Sequence, residues 1–180
     1  MHILVAILTV LGAVAVWYYR LRMIGGAAKE IGRAAEGVIN APRKFAFMQR
    51  ARQNGLKGVE DPREAAAILL ALVAGVRRGE AIGDEARATI IAETSQQFEL
   101  DEEEAEALVT HAAWMVRDVD VPLSVAATMS RTIINTPGIG PKELVDLDSM
   151  LVAVSEAGGP PQSDQLQLLQ AYRDRAGLRA

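Results

Sequence analysis

From Ile3 to Tyr19 the chain runs for 17 residues without a single charge. A helix that is apolar on every face finds enough cover only in lipid or at the centre of a core, and small proteins seldom have a core that large. At 1.5 Å per residue the run covers roughly 26 Å. If Arg20 and Arg22 snorkel toward headgroups, Leu21, Met23 and Ile24 extend the apolar cylinder to about 33 Å, enough to span a bilayer. Trp17, Tyr18 and Tyr19 gather at one end of the run, where amphipathic rings favour the membrane interface, and Arg20 and Arg22 follow at once. This order predicts a transmembrane anchor over residues 1–24, with the amino end outside and the carboxyl side cytoplasmic. A cleaved signal peptide is the first competing reading, since Ala13-Val14-Ala15 has a small-x-small pattern, but the positive charge follows the run instead of preceding it. A buried core helix is the second.

Charge divides the rest of the chain into two parts of opposite sign. Nine basic residues from Arg20 to Lys57 meet only Glu30 and Glu36, a net of +7, whereas from Gly58 onward 10 basic residues meet 21 acidic ones, a net of -11. Together they give the whole-chain value of -4. A tethering segment joined to an acidic, solvated domain has this signature.

Residues 25–57 read as a basic juxtamembrane connector. Ile24, Ala27, Ala28, Ile31, Ala34, Ala35 and Val38 recur at steps of three and four, with Lys29, Glu30, Arg33 and Glu36 on the other side, so the first half is an amphipathic helix. Gly25, Gly26, Gly32 and Gly37 weaken it by about 1 kcal/mol each relative to Ala, so it needs a membrane surface or a partner helix to hold it. After Asn40-Ala41-Pro42, the residues Arg43, Lys44, Phe45, Phe47, Arg50 and Arg52 interleave basic and aromatic side chains. Anionic lipid or a partner protein is the expected contact, each basic residue near an anionic surface contributing about 1 kcal/mol. A solvated linker is the plainer alternative. Nucleic acid is disfavoured, because the acidic domain that follows would repel phosphate.

From residue 58 to 180 every segment reads as helix, with no sustained alternation that would argue for strands. Asp61-Pro62 opens a first helix that is apolar on all sides and is therefore expected at the centre of a bundle. Asp84 is expected to cap a second, with Ile90, Ile91 and Phe98 inward. Asp101 to Glu104 open a third, carrying Leu108, Ala112, Met115 and Val116. Asp120-Val121-Pro122 starts a fourth, capped by Asp120, with Val125, Met129, Ile133 and Ile134. Gly140-Pro141 starts a fifth with Leu144, Leu147, Leu151 and Val154, and Ser163 is expected to cap a sixth with Leu166, Leu169 and Tyr172 inward. The fold class is all-α: an anchor, a connector and a bundle of about six helices joined by short turns.

The order of these elements resembles the TerB-like fold, the all-helical domain of tellurite-resistance proteins, which also precedes a membrane-anchored DnaJ-type co-chaperone. The resemblance covers about Asp61 to Gly177. It is carried by the apolar first helix, by the GlyGluAlaIleGlyAspGluAlaArg turn at Gly79 to Arg87, and by a weaker echo around Gly158 to Asp164. It implies a bacterial protein, here at the inner membrane, and opens a second reading as a metal-ion or tellurite-stress-responsive binding domain. The family has an Asp-Gly turn at each of those two places, whose acids can hold a metal ion. In this chain Arg78-Gly79 and Gly158-Gly159 stand there instead, leaving Glu80, Asp84, Glu85, Glu156 and Asp164 nearby. No metal site is expected, because a hard cation wants six or more converging oxygens and Arg78 repels it.

Little else suggests chemistry. With no cysteine and only His2 and His111, thiolate catalysis, disulfides and a histidine-rich metal cage are excluded. Glu102, Glu103, Glu104 and Glu106 lie in a helix's first turn and just beyond it, where the macrodipole favours negative charge. His111 reads as a packed or surface histidine, and Trp114 as a core residue or an interface anchor. Gly138-Ile139-Gly140 lacks the third glycine of a dinucleotide loop, and no phosphate-loop, zincin or serine-hydrolase motif occurs. The expectation is a non-catalytic membrane protein without cofactor or small-molecule substrate, acting as an accessory or scaffold subunit for another membrane protein or complex.

Overall fold

A computed structural model describes residues 55–76 and 81–178 of the chain, all within one compact unit, Gln49–Ala180. The expected anchor and most of the connector lie outside the described residues. Among those described, regular structure is entirely helical: a short 3-10 turn at Gly55–Gly58, then α1 (Pro62–Val76), α2 (Asp84–Phe98), α3 (Glu102–Val116), α4 (Pro122–Ile134), α5 (Pro141–Glu156) and α6 (Ser163–Ala176). None of these helices is long and apolar enough to cross a membrane.

α1 is the axle of the bundle, as its composition predicts. Ala65 to Ala74 are buried without a break, the most exposed being Ala74 at 8%. A helix apolar all round has no face to offer water, so neighbours must surround it. All five other helices touch α1, and contacts among them run in the order α3, α2, α5, α6, α4 around it. Small Ala side chains let those neighbours approach closely, while Ile68, Leu69, Leu70 and Val73 each gain about 1.5 to 3 kcal/mol by leaving water. Most of the residues expected to face inward do so: Ile90, Ala112, Met115, Met129, Ile133, Leu147, Leu151, Val154, Leu169 and Tyr172 are buried, and Ile91, Phe98, Leu108, Val116, Val125 and Leu144 are half-buried against them.

The helix starts show which local signals were sufficient. Before α1, the Asp61 carboxylate accepts the Arg63 N–H at 2.8 Å, and Pro62 occupies the first helical position, where its missing N–H costs nothing. α3 has a full capping box: Asp101 Oδ1 accepts the Glu104 N–H at 2.7 Å, and the Glu104 carboxylate reaches back to the Asp101 N–H. At α5 the Gly140 N–H donates to Glu143 Oε2 at 2.9 Å, and these backbone hydrogen bonds hold the Glu143 carboxyl below its usual range.

Three expected caps fall one residue off. Asp84 is the first residue of α2 and makes no capping bond; Gly83 sits at the cap, and Asp84 favours the helix only through the macrodipole. Asp120 does not cap α4, because Pro122 takes the first helical position and places Val121 at the cap. Ser163 likewise belongs to α6 proper, and Gln162 caps it, its N–H donating to Gln165 Oε1 at 3.0 Å. Between α5 and α6, Gly158 and Gly159 have φ of 79° and 127°, a backbone that side-chain-bearing residues rarely adopt, so the glycine pair answers a turn requirement.

Leu166 departs from expectation: it is 53% exposed, and Gln165 is buried in its place. The inward row of α6 is Gln165, Leu168, Leu169 and Tyr172, spaced as one helical face. An amide tolerates that position because both its ends are satisfied. Its Nε2 donates to the Val73 carbonyl of α1 at 3.0 Å, and its Oε1 accepts the Gln162 N–H.

Candidate functional site

The buried polar feature that stands out joins α1 to α3. Glu64 lies in the first turn of α1, on the same helical row as Ile68 and Leu72, and points into the core at 4% exposure. His111, 47 residues later, shares a row of α3 with Leu108 and Met115 and is 7% exposed. Its Nε2 meets Glu64 Oε1 at 3.1 Å. Burial pushes the Glu64 carboxyl above its usual range; the hydrogen bond and charge of His111 oppose that push, and the negative charge of Asp61 adds to it. The contact takes either of two proton arrangements, an imidazole N–H donating to a carboxylate or a carboxylic acid donating to a neutral imidazole. Such a pair can hold a proton in the interior and fix the spacing of two helices.

Trp114 lies beside His111 and is exposed at the surface. Its ring centroid lies 6.2 Å from that of His111, with the planes 30° apart, and half of the residue is exposed. The core position expected for it is therefore corrected. It follows Ala112 by two residues, about 200° around the helix, which turns it away from the face that Ala112 buries.

A second polar junction ties α6 to α5. Arg173 grips Asp148 with two parallel bonds, Nε to Oδ1 at 2.7 Å and Nη2 to Oδ2 at 2.9 Å. Beside it the Tyr172 hydroxyl donates to the Leu144 carbonyl at 2.8 Å. Burial, with the Asp148 charge, pushes the Tyr172 phenol well above its ordinary value.

The residues expected to meet membrane or partner, Trp17, Tyr18, Tyr19, Arg20 and Arg22 in the anchor and Arg43, Lys44, Phe45, Phe47, Arg50 and Arg52 in the connector, lie outside the described residues. Of the acids near the family's metal turns, Asp84, Glu85, Glu156 and Asp164 are exposed, and Glu80 lies outside the described residues. Among the described residues no three His, Asp or Glu side chains come together as a metal-holding group. Glu102, Glu103 and Glu106 are solvated, and Glu104 serves the capping box.

The Glu64–His111 contact is the part that sequence reasoning missed. Its available signal was Glu64 itself, a carboxylate on the same row as Ile68 and Leu72 in a helix otherwise apolar on all sides, which requires a buried partner. No family model, no curated protein and no solved structure matches the chain.

Proposed function

We propose that this chain is a non-catalytic, single-span protein of a bacterial inner membrane. In this reading it presents a TerB-like helical module on the cytoplasmic side as an accessory or scaffold subunit of a membrane complex. The observation that carries the reading is an order of residues: an uncharged run from Ile3, aromatic residues at Trp17 to Tyr19, a basic connector, then an acidic domain. The connector's Arg43, Lys44, Phe45, Phe47, Arg50 and Arg52 fit anionic headgroups or a partner at the same depth.

Two measurements test this. Protease added outside intact cells is expected to leave the bundle whole; digestion of the bundle from outside overturns the topology. Purification in mild detergent with mass spectrometry is expected to retain a stoichiometric membrane partner, and a lone monomer at every protein level overturns the subunit role.

A further inference from the structure

The chain has three asparagines, Asn40, Asn54 and Asn135, and of these only Asn54 precedes a glycine. Glycine places no side chain in the way of its own backbone nitrogen, so that nitrogen is the least hindered one an asparagine can meet next in the chain. Gly55 is exposed and leads the short 3-10 turn Gly55–Gly58, where a leading N–H has no partner within the turn. Its φ of 55° is one that glycine adopts freely, and nothing lies within 4 Å of where a side chain would stand. Water therefore reaches the backbone at Gly55.

Asn135 offers the contrast. The residue after it is Thr136, β-branched and half-buried, and the Thr136 N–H is committed to the Ile133 carbonyl at 3.0 Å. The Thr136 hydroxyl is held as well, donating to the Thr132 carbonyl at 2.8 Å. A nitrogen bound in this way is not free to attack the side chain that precedes it. Asn40 and Asn54 lie outside the described residues; at Asn54 the structure describes the other reacting group, Gly55.

We propose that Asn54 is a self-modifying site, whose side-chain amide closes on the Gly55 nitrogen and reopens as aspartate or isoaspartate. The Gly55 nitrogen attacks Asn54 Cγ. The N–Cγ bond forms, the Cγ–Nδ2 bond breaks, and the amide group leaves as ammonia with the proton that Gly55 gives up. The product is a five-membered succinimide. Water then opens the ring on one of two sides: cleavage at Cγ yields aspartate, and cleavage at the backbone carbonyl of residue 54 yields isoaspartate, in which the chain runs through the former side chain. The step needs only water. Either product adds a carboxylate to the stretch from Arg20 to Lys57, so its net charge of +7 falls by one immediately before the acidic bundle begins.

The test is to hold the full-length chain, solubilised in detergent, in mildly alkaline buffer made with isotopically heavy water and to map its peptides by mass spectrometry. Asn54 is expected to convert with uptake of heavy oxygen, isoaspartate exceeding aspartate, while Asn135 keeps its amide. Asn54→Gln, which would need a larger ring, is expected to keep its amide at unchanged helicity. The inference is overturned if Asn54 stays intact over an interval in which the free peptide of residues 53–57 is fully converted, or if Asn135 converts as fast. Aspartate as the sole product also overturns it, since direct hydrolysis of the amide makes no isoaspartate. None of these outcomes depends on whether the uncharged run spans a membrane.

Discussion

Two of the polar contacts that tie helices together in this bundle operate in opposite environments. At Glu64–His111 both side chains are almost entirely out of water, 5% and 6% exposed, while at Arg173–Asp148 they are 34% and 19% exposed. The geometry favours the second contact, which is shorter and two-pronged. The interior contact nevertheless has the larger consequences if broken, because a buried carboxylate that loses its partner cannot recover solvation from water. At the surface, water and salt replace much of what a lost partner supplied.

The largest expected effect follows directly. His111→Ala strands Glu64 in the core and is expected to cost about 3 to 5 kcal/mol in chemical denaturation of the detergent-solubilised chain. Glu64→Leu combined with His111→Leu removes both polar groups and is expected to recover much of that loss. A His111→Ala cost below 1 kcal/mol would erase the distinction between the two contacts.

The same pair has a signature in pH. Because burial raises the Glu64 carboxyl in the folded state, the folded protein binds that proton more tightly than the unfolded chain does. The contribution of Glu64 to stability is then complete below the unfolded value near 4.5 and is lost as pH rises toward the folded value. Glu64→Gln removes this slope. Its stability relative to the parent is expected to rise as pH increases from 4.5, and a difference that stays flat or falls refutes the assignment.

Smaller effects belong to the junction of α5 and α6. Tyr172→Phe deletes the bond to the Leu144 carbonyl and is expected to cost about 1 to 2 kcal/mol, with the core otherwise unchanged. Arg173→Ala is expected to cost only about 0.2 to 1 kcal/mol, and less in high salt, since the Arg173 side chain is a third exposed. Salt-independent loss at Arg173 would show that this contact behaves as an interior one.

Some of the fold was legible in the sequence. Asp101 with Glu104, Gly140 with Pro141, and Asp61 with Pro62 mark helix starts through bonds between residues two or three apart, and such bonds depend only on local sequence. Trp114 and Leu166 stand outside the core because helical phase, and not size or hydrophobicity, decides which residues of a helix face inward. Ala112 fixes the inward direction of α3 and leaves Trp114 outside, and Gln165 and Tyr172 fix that of α6 and leave Leu166 outside.

The residues by themselves determined that the described chain is helical, where its helices begin to within about one position, and that α1 is central. Those outcomes follow from periodicity, proline geometry and the absence of any polar face on α1. The tertiary structure alone decided that Glu64 meets His111 across 47 residues, that the Gln165 amide closes on Val73, and that the Trp114 indole lies 6.2 Å from the histidine ring. The energies of these contacts depend on water being excluded between particular helices, and no local spacing encodes which helices will meet.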